Sequence, residues 1–251
     1  MRRTALSGPT LVRLLARLTD RDVPESGQSL SDRLSRWLGW TDAIALSTAL
    51  SLSPPALASD PPSAGQDAAS LCARVHTALA NAITGAGNGE AQGRRGGPAQ
   101  MPVRAAPVDA AVAAVAAVDY AEFRQRYLAL QQAMQMEIGN LRTRLRHLLS
   151  TRTPAMARLA VLDATLEQAL DAQERNLLAS VPTLLGVHFE RLREAERQRL
   201  GDDAPAPEHA AAVLPGAWLD VFRKDMQRVL LAELEVRFQP VEGLLAALRT
   251  R

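Results

Sequence analysis

The 251-residue chain carries 29 basic and 27 acidic side chains, a net charge of +2, and 47% hydrophobic residues, which excludes disorder throughout. A single cysteine excludes an internal disulfide and fits a reducing cytoplasm. With aromatics at 4% and Ala, Leu, Arg, Glu and Gln dominating, the composition predicts an all-α protein.

The first predicted element is a short amphipathic helix. Leu11, Leu14, Leu15 and Leu18 share one face, and Arg13 and Arg17 lie opposite. Those arginines interrupt the apolar run that a signal peptide would need. A turn over residues 22–28 leads to Leu30, Leu34, Trp37 and Leu38, again at helical spacing. Gly39 suits a left-handed helix end, and Thr41 with Asp42 suits the start of another. On this reading Trp37 is a core residue and Trp40 a staple at the joint. The run from 43 to 58 is too polar and too short to span a bilayer.

Four prolines make residues 53–66 a linker. A helix over 67–84 follows, with Leu71, Val75, Leu79 and Ile83 in a stripe. Glycine and proline fill the next stretch, so 85–108 reads as a flexible linker between an N-terminal helical region (1–84) and a C-terminal one (109–251).

From 109 to 150 there is no proline. Tyr127, Leu130, Met134, Ile138, Leu141, Leu145 and Leu148 step by three or four, predicting a long helix of coiled-coil type with little supercoil. Residues 150–153 form the turn of an antiparallel hairpin. Pro154 opens the return helix, whose stripe is Leu159, Leu162, Leu166, Leu170 and Leu177. Pro182 breaks or kinks it before a charged, exposed segment, 188–200. After a polar loop, a last helix begins near Pro215 and places Leu219, Phe222, Met226, Val229, Leu230, Leu234 and Phe238 on one face, with a kink or restart at Pro240.

Chemistry is sparse. Cys72 and His76 lie four apart, but two ligands do not make a zinc site, so no metal is expected. His188, Phe189 and Glu190 give half of a zinc-deaminase signature whose second half needs two further cysteines. The glycine run at 85–98 lacks the lysine of a phosphate loop, the only lysine being Lys224. Carboxylates such as Glu190, Glu194, Glu196, Glu233 and Glu235 have arginines three or four positions away, which reads as solvated pairing. No cofactor and no catalytic residue is indicated, and a non-enzymatic protein is expected. The cluster Arg142, Arg144, Arg146, His147 and Arg152 at the hairpin tip complements the helix dipole. Its sharper reading is a phosphate-binding tip, giving the alternative of a nucleic-acid-associated protein.

Two blocks carry a resemblance: TALSGPTLVRLLARLTDRDVPESGQSLSDRLSRWLGWTDAIALSTAL and LPGAWLDVFRKDMQRVLLAELEVRFQPVEGLLAALR. They resemble an uncharacterised proteobacterial domain-of-unknown-function family, with no assigned activity to transfer. The resemblance implies a neighbourhood of MotA/TolQ/ExbB-type proton-channel subunits and OmpA-like envelope proteins, and so a cytoplasmic accessory of a membrane-anchored, stator-like complex. The expected function is a protein–protein interaction or scaffold role, with a protein partner or a second copy of the chain. The expected interaction residues are Trp37, Trp40, Trp218, Phe222, Arg142, Arg144 and Arg146.

Overall fold

The structure, a computed structural model of the chain, describes residues 10–20, 29–51, 64–92, 118–201 and 216–250. These are helical, with no strand among the described residues: α1 (Thr10–Thr19), α2 (Leu30–Trp37), α3 (Trp40–Ser51), α4 (Ala64–Gln92), α5 (Tyr120–Ser150), α6 (Pro154–Ala179), α7 (Val181–Gly201) and α8 (Ala217–Arg249). None is long and apolar enough to cross a membrane.

α5 begins where Asp119, in extended conformation, accepts a hydrogen bond from the Ala121 N–H. It presents Phe123, Tyr127, Met134, Ile138, Leu141, Leu145 and Leu149 to the interior. At its far end Thr153 caps α6 and Pro154 occupies the first turn, where its missing N–H costs nothing. The antiparallel hairpin follows: Arg142 meets Asp163 near the turn, and Gln131 reaches the Leu178 carbonyl at the open end.

α8 runs parallel to α5, as Phe123 packs on Phe222, Tyr127 bonds Glu233 and Arg152 donates to the Leu248 carbonyl. That last bond also supplies a donor to the C-terminal turn of α8, whose carbonyls have no partner within the helix. α4 runs antiparallel to α8, with Thr84 near Gln227 and His76 near Glu235. The result is a bundle of α4, α5, the α6–α7 strut and α8 in alternating directions. α1 packs on α7 and α8, and α3 lies on the outer side of α6.

Before α8, Gly216 sits at φ 93°, a conformation that side chains with a Cβ rarely adopt. α8 then runs through Pro240 as one helix, so it does not restart there, and the proline leaves one backbone donor missing.

Other expectations are corrected. α4 continues to Gln92, so residues 85–92 belong to a helix and not to the linker. The remainder of that linker, most of the linker at 53–66, the loop at 22–28 and residues 109–117 lie outside the described residues. On α6 the buried side chains are Ala157, Ala160 and Leu178, while Leu159, Leu166 and Leu177 are exposed. Of the two alanines, Ala160 joins the core cluster shared with α5. α7 is not an exposed charged helix: Val181, Leu185, His188 and Phe189 are buried in the bundle. Gly39 is not left-handed. It leads into α3, and its N–H donates to the Asp42 carboxylate at 2.9 Å.

Two glycines make opposite predictions. A Cβ on Gly186 would lie 2.9 Å from the Tyr120 ring, so Gly186→Ala is expected to cost about 1–3 kcal/mol through overpacking. A Cβ on Gly139, mid-α5, meets nothing within 4 Å, so Gly139→Ala is expected to add about 0.5–1 kcal/mol by raising helix propensity. Paired urea titrations of the two variants would show opposite shifts in midpoint.

Candidate functional site

Three groups of side chains stand out from ordinary helix packing. The first is on the surface. Ser29 and Asp32 close a reciprocal capping box at the start of α2, with bonds of 3.1 and 3.3 Å. This fixes a short helix that delivers Trp37 to the joint with α3. There Trp37 is 37% exposed and Trp40 82% exposed, and Ile44 and Leu50 continue the apolar surface along α3. The expectation that Trp37 is core and Trp40 a staple is therefore corrected. α3 meets α6 by burying Ala49, which leaves Trp40 in solvent and Trp37 partly covered. Asp42 is the only charged residue in α3.

The second group is internal. Glu233 is fully buried. Its carboxylate accepts from the Tyr127 hydroxyl at 2.7 Å, the Gln131 amide at 3.0 Å and Arg237 Nε at 2.9 Å. Arg237, itself 8% exposed, donates through a terminal nitrogen to Glu174 at 2.9 Å. Burial and the adjacent Glu233 carboxylate push the Tyr127 phenol far above its ordinary pKa, so it stays protonated and donates. This centre holds two helices in register through α5–α8 bonds, with the Arg237 guanidinium as the cation that answers Glu233. Sequence reasoning placed Glu233 among solvated pairs. The available signal was its position between Val229, Leu230 and Leu234, on the apolar face of α8.

The third group is an aromatic cluster at the open end of the hairpin. Phe222 meets Phe123 and Phe189 edge-on at 5.2 and 5.0 Å, and Trp218 meets Phe189 at 5.1 Å. The buried His188 lies beside it. Arg191 can only donate, so the bond at 3.2 Å to His188 Nδ1 makes that nitrogen an acceptor and leaves Nε2–H to donate to Asp225 at 3.0 Å. Burial lowers the pKa of His188, opposed by the bond and charge of Asp225 and reinforced by Arg191. The unfolded chain therefore takes up a proton first on acidification. Stability tied to His188 is complete above pH about 6.5 and is lost as pH falls from there through the lower folded value. The loss grows by at most about 1.4 kcal/mol for each pH unit crossed. Urea unfolding between pH 8 and 5 is expected to show a flatter profile in His188→Gln than in the wild type.

The remaining sequence candidates fall as follows. Trp218 and Phe222 are buried and so belong to the core. Arg142 and Arg146 both bind Asp163 and Glu167 across the hairpin, at 2.5–3.1 Å, so their charge is answered within the chain. Arg144 and His147 are exposed. Cys72 is a buried free thiol with its pKa raised by burial, and His76 pairs with Glu235 at 3.0 Å. No cluster of three or more His, Cys, Asp or Glu side chains among the described residues could hold a metal ion.

Residues 1–250 match a family described as "Protein of unknown function (DUF3348)". The chain belongs to this family. No curated protein and no solved structure matches it. For this DUF3348 member, the surface indoles of α2–α3 are the side chains whose placement the core does not explain.

Proposed function

We propose that the protein is a non-enzymatic helical scaffold that docks onto a protein partner through the α2–α3 face. The observation that carries this reading is the exposure of Trp40, 82%, next to Trp37 and Ile44 on a helix with almost no charge. A large indole standing in water beside other apolar groups costs free energy that a partner's apolar surface would recover, and tryptophan is enriched at the centres of protein interfaces. In its finer form the partner is a membrane-anchored, stator-like complex and the docking takes place on its cytoplasmic side. The bundle would then act as a rigid arm.

The neutralisation of Arg142 and Arg146 by Asp163 and Glu167 weighs against the alternative of a nucleic-acid-associated protein. Phosphate binding needs unanswered positive charge and gives a steep salt dependence.

The test is affinity capture from native lysate with the wild type and a Trp37→Ser/Trp40→Ser variant. The double variant is expected to remain folded, at a cost set by the covered part of Trp37, which is 37% exposed, and to lose a protein that the wild type retains. Equal retention by both overturns the proposal. Retention of nucleic acid that falls steeply with salt would favour the alternative, and light scattering reports self-association through the same face.

A further inference from the structure

A groove of about 640 Å³ opens between α5, α6 and α8, within the size range of small-molecule sites. Ile138, Leu166, Leu170 and Val236 give it an apolar wall, and Arg237 stands at one end with Glu174. We propose that this groove binds a free alkyl carboxylate, whose head takes the place of Glu174 on Arg237 and whose chain lies along the leucines of α6.

The geometry of Arg237 carries the proposal. Its Nε is fixed on the fully buried Glu233, and the side chain is 8% exposed, so the guanidinium is held in one orientation facing the groove. The carboxylate that answers its terminal nitrogen belongs to Glu174, which is 48% exposed. Glu174 can turn toward water, being half exposed, while Arg237 keeps its bond to Glu233. The position it fills is a carboxylate site next to apolar surface. Glu174 satisfies the charge and leaves Leu166, which is 36% exposed, and the half-buried Leu170 on the groove wall.

The other charges of the groove are matched locally and compete less for a ligand. Arg142 is shared between Asp163 and Glu167, both more buried than Glu174, and Arg175 pairs with Asp171 one turn away on the same helix. From Leu166 to Glu174 the groove follows α6 for about 12 Å at 1.5 Å per residue, which suits a medium-length chain. A cation would find the carboxylates already paired. A neutral alcohol could not replace the charge-assisted bond to Arg237.

Calorimetric titration of the full chain with octanoate, octanol and acetate tests this. Octanoate is expected to bind saturably at one site, with octanol and acetate at least about tenfold weaker, as each lacks the head or the chain. Glu174→Gln removes the competing carboxylate and is expected to tighten octanoate by roughly two- to fivefold, the weight of a half-exposed ion pair. Leu170→Glu and Gly139→Leu are both expected to abolish binding. Gly139→Leu fills open space on α5, and its thermal midpoint shows that the fold is retained. Octanol or acetate binding as tightly as octanoate, no effect of Glu174→Gln, or octanoate binding that survives both groove variants overturns the proposal, as does the absence of saturable binding.

Discussion

Phe222→Ala is expected to lower the free energy of unfolding by about 3–5 kcal/mol, the range for a buried aromatic cut back to a methyl group. Phe222 is fully buried and its ring is shared by Phe123 on α5 and Phe189 on α7. Removing it leaves a void that touches three helices at once. Edge-on ring pairs contribute about 0.5–1.5 kcal/mol beyond their burial, and this one side chain makes three of them, with Tyr120, Phe123 and Phe189. Phe123 and Phe189 also contact each other, which limits how far the cluster can collapse into the space. Guanidinium unfolding followed by tryptophan fluorescence reads the loss directly, because Trp218 packs on Phe189 in the same cluster. Leu128→Ala on the exposed side of α5 is the matched control, expected within about 0.5 kcal/mol of the wild type. A cost below about 1.5 kcal/mol for Phe222→Ala would mean that the end of α8 does not close the bundle.

That part of the fold was legible because periodicity alone places the side chains. Phe222, Met226, Val229, Leu230, Leu234 and Phe238 recur at helical spacing without interruption, and all are buried. The stripe on α5 likewise buries Tyr127, Met134, Ile138, Leu141 and Leu145, while Leu130 and Leu148 are partly buried at its edges and Leu149 is buried beside Leu148, and Pro154 marks the turn between them and α6. In both helices the apolar residues form one face, so the face that meets the core is decided by the sequence pattern.

α6 and α7 show where that reasoning stops. α6 has leucines on more than one side, and which of them turns inward depends on how closely its neighbours approach. Two of the three positions it buries are Ala157 and Ala160, which carry only a weak hydrophobic signal. In α7, Val181, Leu185 and Phe189 follow a four-residue step, yet the arginines and glutamates around them dominate the composition of the segment. His188 is held among them by Asp225 of α8, a residue 37 positions away. No local pattern encodes that pairing.

The candidate docking face was found in the sequence as an oddity of two tryptophans around one glycine, and then assigned to the wrong side. Helical spacing puts Trp37 with Leu34, but it does not say which face of so short a helix meets the bundle. α2 has no extensive packing of its own, and α3 is held to α6 by the small Ala49. Trp40 is left in solvent and Trp37 partly covered. Trp218 and Phe222 were grouped with them as interaction residues on residue type alone, and their burial separates the two pairs.

Arg237→Met is expected to cost about 3–5 kcal/mol, because it leaves the Glu233 carboxylate in the interior without its counter-charge. Tyr127 and Gln131 would still donate to it, but neutral donors replace only part of the lost attraction and cannot offset the desolvation of a full charge. Glu233→Met on its own removes the anion and leaves Arg237 beside Glu174, which is half exposed and can follow it toward solvent, so a smaller cost of about 1–3 kcal/mol is expected from the unpaired phenol and amide. The double variant removes both charges and replaces them with flexible side chains that suit irregular core space. Its stability is expected to lie above that of Arg237→Met alone, giving a coupling of at least about 1 kcal/mol between the two sites. Additive costs in this cycle, measured by urea unfolding, would show that Arg237 acts through its methylene packing and not through its charge. A coupled result makes Glu233 the reason that Arg237 is held rigid at the wall of the groove.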